Sequence, residues 1–487
     1  MEEAGLPLAD LLRLAEWSPR QLVTAINSRL SSQGRERLRL DPTAGYSWVR
    51  RGFRPRPPIP DVAAAVLTER LGYTVTVAQL WPGRPGPAAP VRSAADELES
   101  VAGIDALVRE LGQLGTTAIT PQSPIVEATG ADLAAAVLDQ LRGPLSVARN
   151  RPGHEDVLSE QVDLISAHVA ALRRLDDRHG GGALSLRYVT AELRSVVDLV
   201  EYASYGPQTG KRLLTSVADL AQLLGWMNFD SGRYGAAERY LLLSLGVCRA
   251  LGISGRAANV IGMLSYVSAF AGHGPEAIRL AEAAPRECGT SDPILRVRLL
   301  GREATAAAAD GDLARFRRQS EEAATLLQRH ATRDAPSFLY YLTPEQLAAE
   351  AGQALVVLAE RTTASRGRLL SEAIETLSGA LTTMAAPNPS GATLAYPRSA
   401  LLHTTFLARA CILNGDLDQA VTAMRRGVGL LAHVQSPRGR SYLHGLRSAL
   451  ARRSRSPLVR EFLDEFDEAS SLCDDHPPRP GRLQPRR

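Results

Sequence analysis

The chain has 487 residues, of which 45% are hydrophobic and 22% are charged. This composition is that of a globular protein with a sizeable core, and it excludes wholesale disorder, a collagen-like fibre and a small disulfide-stabilised domain. Aromatic residues make up only 5%, whereas Ala, Leu, Arg and Glu, which favour helices, are frequent, so a large β-sandwich is not expected.

The net charge of +4 is unevenly distributed along the chain. Residues 18–56 carry nine arginines against two acidic residues and hence a charge of +7, which leaves −3 for the remainder. Lys211 is the single lysine. Because guanidinium groups bind phosphates and guanine edges bidentately, this arginine-rich stretch indicates a nucleic-acid partner. A solvated charged surface is the alternative interpretation.

The N-terminal part of the chain is predicted to form a small helical bundle. The sequence SPRQ at residues 18–21 combines a serine N-cap, a proline at the first helical position and a glutamine that closes a capping box. A helix therefore begins there, with Leu22, Val23 and Ile26 on its apolar side. A basic connection, residues 31–40, follows this helix.

The next predicted helix is short and basic. It begins at Asp41-Pro42 and ends at Gly52, and Trp48 is expected to anchor it in the core. A clear helix over residues 60–72 completes the bundle, and a last short helix ends at Trp81. The short helix is therefore expected to turn its polar and basic residues outward.

This arrangement resembles the Cro/repressor-type helix-turn-helix domain. The resemblance is carried by SPRQLVTAI (18–26), TAGYSWVRRGFRPRPP (43–58) and the helix over 60–72. Three features differ from the family pattern: Val49 stands where glutamate is usual, Gly52 comes one residue late, and the link from about 28 to 40 is long. The resemblance implies that the helix from Thr43 enters the major groove. The residues expected to contact DNA are Ser18, Arg20, Gln21, Arg37, Arg39, Thr43, Tyr46, Ser47, Arg50, Arg51, Arg54 and Arg56.

Composition divides the chain into four parts. Residues 1–82 are the helix-turn-helix-like domain, and 83–154 are a Gly- and Pro-rich linker followed by loosely specified connecting helices. Residues 155–470 are almost entirely helical in pattern. Residues 471–487, rich in proline and arginine, are expected to be a disordered tail.

The helical region contains a degenerate repeat of an apolar helix, a glycine turn and a second apolar helix. Copies cover 223–245, 263–284, 302–324 and 406–428, and a further pair that includes 372–381 fits between the last two. The turn glycines are Gly232, Gly272, Gly311 and Gly415, and Ala237, Ala277 and Ala420 follow where the two helices would cross. Such pairs bury their apolar faces only by stacking on neighbours.

These segments resemble tetratricopeptide repeats. Leu224, Gly225, Gly232, Tyr234 and Ala237 occupy the positions of that motif's leucine, small, turn, aromatic and small residues, although the period of about 40 exceeds the usual 34. We therefore expect an all-α chain, a helix-turn-helix bundle followed by a tetratricopeptide-like solenoid. An irregular α-bundle is the alternative.

The combination resembles a group of actinomycete regulators that includes negative regulators of aerial development, sporulation and antibiotic production. It implies a cytoplasmic, nucleoid-associated repressor that binds DNA as a homodimer and whose repeats bind a peptide or protein signal. The alternative is a tetratricopeptide interaction scaffold whose helix-turn-helix no longer reads DNA.

Motifs with catalytic associations are better explained by helix turns. GPQTGK at 206–211 lacks one residue and the Ser or Thr of a phosphate loop, and HGGG at 179–182 has no GxSxG partner. Asp176-Asp177 with His179 is interpreted as solvated helix-end charge, and Trp226 as interhelical core. The cysteines show no paired spacing, and no apolar run reaches transmembrane length. We therefore expect no enzyme, no cofactor, no metal site and no membrane partner.

Overall fold

The computed structural model divides the chain into two compact units, Met1–Val91 and Arg92–Arg487, here called the N-terminal unit and the repeat unit. Every structural statement below concerns the described residues, which are 8, 11–12, 15, 17–32, 36–51, 53–56, 58–71, 75, 77–81, 103–117, 128, 131–142, 153, 155–288, 292–330, 335–363, 365–385, 396–453 and 455–474.

The N-terminal unit is a helical bundle, as the sequence predicts. Its helices are α1 (Pro19–Ser32), α2 (Ala44–Arg51), α3 (Ile59–Leu71) and α4 (Val77–Leu80). The first helix packs against α2 and α3, and α3 packs against α4. The predicted helix positions in this unit are therefore confirmed to within about a residue or two.

The predicted core and cap of α1 are confirmed as well. Leu22, Val23 and Ile26 are fully buried. The Gln21 N–H donates to Ser18 Oγ at 3.3 Å, and the Ser18 N–H donates to Gln21 Oε1 at 2.8 Å, which completes the capping box. These paired bonds satisfy backbone donors that the first turn of a helix otherwise leaves open.

The long connection before α2 is held against α1. Its ordered part includes a single 3₁₀ turn, Glu36–Leu38. The Asn27 side chain accepts a hydrogen bond from the Leu40 N–H at 2.8 Å and donates to the Leu40 carbonyl oxygen at 2.9 Å. One amide of α1 therefore fixes the end of the connection, and the unusual length of this segment is compatible with a defined position for α2.

The repeat unit is an all-α solenoid of helix pairs that is preceded by two further helices. The preceding helices are α5 (Ile104–Thr117) and α6 (Ala131–Arg142). The pairs are α7 (Ser159–His179) with α8 (Ala183–Tyr202), α9 (Pro207–Asp230) with α10 (Tyr234–Ala250), α11 (Ser254–Phe270) with α12 (Gly274–Cys288), α13 (Pro293–Asp310) with α14 (Leu313–Arg329), α15 (Pro344–Arg361) with α16 (Arg366–Ala385), α17 (Pro397–Asn414) with α18 (Leu417–Leu431), and α19 (Pro437–Ala451) with α20 (Pro457–Asp474).

The predicted turns and the predicted additional pair are confirmed. The four turn glycines, Gly232, Gly272, Gly311 and Gly415, all have positive φ between 73° and 93°, where a residue with a Cβ is strained. The alanines at the predicted helix crossings, Ala237, Ala277 and Ala420, are fully buried. The pair expected between Gly311 and Gly415 is α15 with α16.

The first helices of the pairs form a layer that closes on itself. Each first helix contacts the first helix of the next pair, and α17 also packs against α7. At the same junction the Gln435 N–H donates to the His179 carbonyl oxygen at 2.7 Å. The turn between α18 and α19 is therefore docked on the turn between α7 and α8.

The two helices before the first pair are part of the core, whereas the sequence suggested a loosely specified connector. Helix α5 packs against α8 and α10, and α6 packs against α10 and α12. Leu111 and Val137 are fully buried, and the Ala128 N–H donates to Glu238 Oε2 at 2.7 Å. At the other end α20 runs to Asp474, so the first residues of the expected tail are helical, and 475–487 lie outside the described residues.

Within the part of the chain that the structure describes, no helix is both long enough and apolar enough to cross a bilayer.

Candidate functional site

The short helix α2 is held on α1 by one close contact and one buried aromatic side chain. A Cβ at Gly45 would lie 2.4 Å from the Pro19 carbonyl oxygen, so only glycine allows this approach. Trp48 is 3% exposed and meets Trp81 edge-on, with ring centroids 5.9 Å apart. The opposite side of the helix, with Tyr46 and Ser47, is exposed. The predicted anchoring of Trp48 is confirmed.

The start of α2 is capped by Asp41. The Thr43 N–H donates to Asp41 Oδ1 at 2.7 Å, and the Thr43 hydroxyl donates to the same atom at 2.5 Å. Together with the nearby charge of Arg20, these bonds hold the pKa of Asp41 below its usual value. The Thr43 hydroxyl proton therefore already has an acceptor within the protein.

The candidate DNA-contacting residues whose side chains the structure describes are all at the surface. Pro55 is buried and fixes the extended segment that presents Arg54 and Arg56. The side chains of Arg50 and Arg51, at the end of α2, lie outside the described residues. The candidate residues that are accessible to solvent are Ser18, Arg20, Gln21, Arg37, Arg39, Thr43, Tyr46, Ser47, Arg54 and Arg56.

A second site, which the sequence did not reveal, is a cavity of about 90 Å³ inside the repeat unit. Residues from the first helices of all seven pairs line it, together with the segment between α14 and α15. Four of the lining residues are arginines and three are acidic: Arg173, Arg302, Arg398, Arg438, Asp176, Asp177 and Glu350. Such a concentration of buried charge is uncommon in a protein core.

Trp226 of α9 is the centre of this arginine cluster. The guanidinium carbons of Arg302, Arg398 and Arg438 lie 5.8, 5.7 and 6.0 Å from the centroid of its ring. Arg302 also stacks on Tyr266 at 4.1 Å. Cation–π attraction of this kind stabilises guanidinium groups that are withdrawn from water. Trp226 packs against the interhelical core, as predicted, and its ring also lines the cavity.

Arg398 joins the sixth pair to the first through two carboxylates. Its Nη1 donates to Asp176 Oδ2 at 2.8 Å and its Nη2 donates to Asp177 Oδ1 at 3.1 Å. Burial, together with Asp177 and Asp230, outweighs Arg398 and raises the pKa of Asp176 to about 7. Asp176 is only 3% exposed, so its interpretation as a solvated helix-end charge is wrong.

Arg438 occupies the neighbouring part of the wall with little hydrogen bonding. Asp230 is the nearest acid, with Oδ1 3.4 Å from Arg438 Nε, but its Oδ2 accepts the Ser436 hydroxyl at 2.8 Å. Neither Nε nor Nη1 of Arg438 has a hydrogen-bond acceptor among the described residues. The guanidinium stacks instead on Phe229, at 4.5 Å from its ring centroid.

The last part of the wall is a hydrogen-bonded chain around Glu350. Arg298 donates to both carboxylate oxygens, and Gln346 Nε2 donates to Oε1 at 3.1 Å. Burial alone would raise the pKa of Glu350, but the charges of Arg298 and Arg302 and these hydrogen bonds outweigh it and lower the pKa to about 2. His403 lies between Gln346 and Gln353, and burial lowers its pKa to about 4, so its imidazole is neutral at pH 7.

Among the described residues, Arg302 has only a carboxylate that it shares with Arg298. Glu350 Oε2 is the closest, at 3.9 Å from Arg302 Nη1, and that carboxylate is already bound bidentately by Arg298. Arg302 is 4% exposed and lines the cavity. Burial and the like charge of Arg298 therefore lower its pKa from the usual value.

The sequence does carry one signal that could have pointed to this cavity. Arg298, Arg302 and Arg398 fall at positions of otherwise apolar helices where the repeat pattern places core residues. A charged residue on the buried side of a helix needs a partner from elsewhere in the fold. Among the described residues no group of three or more His, Cys, Asp or Glu side chains is arranged to hold a metal ion.

Comparison with known proteins gives one similarity. Residues 8–80, which lie within the N-terminal unit, match the family described as SP15 N-terminal domain. Comparison with curated proteins and with solved structures gave no match.

Proposed function

We propose that the N-terminal unit binds DNA and that the protein is a transcriptional regulator. The observation that carries this proposal is the placement of α2. Gly45 and Trp48 fix one side of the helix against the bundle, which leaves Tyr46 and Ser47 on an exposed side. A short helix with one exposed polar side is the element that helix-turn-helix proteins insert into the major groove.

The surrounding charges support the same function. Arg54 and Arg56 are exposed on a segment fixed by buried Pro55, and exposed Arg37 and Arg39 belong to the connection that Asn27 ties to α1. Arginines on fixed backbone are suited to phosphate contacts, which position a protein on the duplex. Arg50 and Arg51, at the end of α2, are proposed to contact base edges or phosphates.

The wider role follows from the resemblance stated for the sequence. It is repression of genes for development or antibiotic production, by a homodimer in the cytoplasm at the nucleoid. Two DNA-binding units need a fixed separation to engage two half-sites. Dimerisation through the repeat unit, and a signal bound there, are proposed to set that separation.

The test is a salt series with the full-length protein. A fragment selected from sheared genomic DNA is compared with random DNA of equal length. The plot of log K against log salt has a negative slope, to which each phosphate contact contributes about 0.9. Arg54→Ala/Arg56→Ala is therefore expected to make this slope less steep by about 2. Arg50→Ala/Arg51→Ala is expected to reduce the preference for the selected fragment, because a bidentate guanine contact is worth about 1–3 kcal/mol.

The matched control removes two exposed arginines from the repeat unit. Arg409 and Arg425 are paired on the surface with Glu360 and Glu465, so Arg409→Ala/Arg425→Ala has the same change in net charge. This variant is expected to bind like the wild type. Absent or salt-insensitive binding by a folded protein would contradict the proposal and favour the interaction scaffold.

A further inference from the structure

We infer that the cavity beside Trp226 is a binding site for a small organic anion, one that carries a carboxylate or phosphate group, with Arg302 and Arg438 as its main ligands. The site belongs to the repeat unit alone. The inference goes beyond the proposed DNA binding and does not rest on it, since none of the residues involved lies in the N-terminal unit.

The first step is the shortage of acceptors around Arg302. The oxygens of Glu350 are occupied by Arg298 and Gln346, and Arg302 donates no hydrogen bond to any described residue. Its side chain is nevertheless more than nine-tenths buried. A buried guanidinium without an anion is costly unless a bound group supplies the missing charge. An anion in the cavity would supply it.

The second step is the shortage of acceptors around Arg438. This side chain is 7% exposed, and two of its three nitrogens lack an acceptor among the described residues. Arg302 and Arg438 both border the ring of Trp226. Two buried guanidinium groups with unused donors therefore face the same part of the cavity wall, and guanidinium groups bind carboxylates and phosphates in bidentate geometry.

The third step is size. A cavity of about 90 Å³ has room for about three water molecules, since each takes up about 30 Å³ in the liquid. A carboxylate or phosphate group with few further atoms fits, whereas a peptide does not. Amide groups of Gln222, Asn259 and Gln353 also line the cavity and offer both donors and acceptors to the uncharged part of such a ligand.

Binding is tested on the full-length protein with defined anions. Isothermal titration and thermal unfolding are measured with inorganic phosphate, methyl phosphate, formate and acetate, with the ionic strength held constant by sodium chloride. We expect saturable binding with one site per chain, and a concentration-dependent rise in Tm, for at least one of these anions. The phosphate and carboxylate arms distinguish the two chemical classes. No saturable binding in either arm would overturn the inference.

The variant Arg302→Met assigns the site. Because the nearest described carboxylate to Arg302 is already bound by Arg298, the variant is expected to fold with a Tm at or above that of the ligand-free wild type, and to bind the anion at least tenfold more weakly. Arg302→Lys keeps the charge but loses the bidentate fork, so it too is expected to bind more weakly, and it serves if the methionine variant fails to fold. The control Arg409→Met is expected to bind normally. Wild-type affinity in both Arg302 variants would overturn the assignment.

Discussion

Arg398 Nη1 lies 2.8 Å from Asp176 Oδ2, although 222 residues separate the two in the sequence. Both side chains are buried, so this ion pair is part of the interior of the repeat unit. It joins α17 to α7 and thereby the sixth helix pair to the first. A solenoid normally holds together through contacts between neighbouring repeats alone, whereas here a long-range contact adds a second constraint.

Removal of Arg398 is expected to destabilise the repeat unit strongly. The change Arg398→Met leaves the buried carboxylate of Asp176 and the half-buried carboxylate of Asp177 without this cation, and loss of one partner of a buried pair costs about 3–5 kcal/mol. Urea unfolding followed by far-UV circular dichroism measures the change. The exposed pair Arg409–Glu360 provides the control, because Arg409→Met is expected to cost less than about 1 kcal/mol. Equal losses in the two variants would contradict this expectation.

The glycines of the HGGG segment are expected to be needed for closure of the layer. Gly180 has φ of +79°, and a Cβ there would lie 2.6 Å from the Gln435 carbonyl oxygen. Gly415 has φ of +88° but open space around it. Alanine should cost about 1–2 kcal/mol at Gly415, whose ψ of 4° is left-handed helical, and more at Gly180, whose ψ of 169° lies in a region that essentially only glycine adopts. Gly180→Ala should cost at least about 1 kcal/mol more, because it also clashes with the docked turn. Equal free energies of unfolding for the two variants would show that the contact with Gln435 is not tight.

The contact between α1 and α2 is expected to tolerate no side chain at position 45. In Gly45→Ala the new methyl group must push α2 away from Pro19, and strain of this kind costs about 1–3 kcal/mol. Tryptophan fluorescence monitors the N-terminal unit, since Trp17, Trp48 and Trp81 belong to it and only Trp226 does not. DNA binding is expected to fall together with stability. The helical Gly379 has open space around it, and Gly379→Ala is expected to be neutral or slightly stabilising.

His403 is expected to make stability depend on pH between about 4 and 6.5. Its pKa falls from 6.5 in the unfolded chain to about 4 in the fold, so in this window the unfolded chain binds a proton that the folded chain does not. The contribution is therefore fully present above pH 6.5 and is lost as the pH falls to 4, by an amount on the order of 3 kcal/mol. The variant His403→Gln can keep the bonds to Gln346 and Gln353 without this titration.

The measurement for His403 is the free energy of unfolding at several pH values in both proteins. Glu350, with a pKa of about 2, stays charged throughout the window. Asp176, with a pKa raised to about 7, contributes the opposite slope in both proteins, so the difference between the two curves isolates His403. Parallel curves would contradict the prediction.

Local sequence signals were sufficient for the helices and their turns. Gly311 and Gly415 end helices at positive φ, as a glycine after an apolar run predicts, and Ser18 with Gln21 caps α1. These features depend on residues within a few positions of one another. The same holds for the apolar side of α1, which the spacing of Leu22, Val23 and Ile26 fixes.

The cavity could not be predicted in the same way. Its partners come from seven helices, and the pair Arg398–Asp176 spans nearly half the chain. No residue near His179 in the sequence indicates that Gly180 and Gly182 will contact the turn at Gln435. A charged residue in an apolar helix indicates that a distant partner exists, but only the fold identifies it. For Arg302 the nearest described carboxylate, that of Glu350, is 3.9 Å away and is already bound by Arg298.

The contact between α17 and α7 limits how the number of helix pairs can change in evolution. An open superhelix gains or loses a unit by gene duplication with little penalty, since each unit meets only its neighbours. Here the addition or loss of one helix pair between Asp176 and Arg398 would separate these two residues and leave their buried charges unpaired. The number of helix pairs is thus as constrained as the number of blades in a β-propeller. New variants are expected to arise by substitution instead.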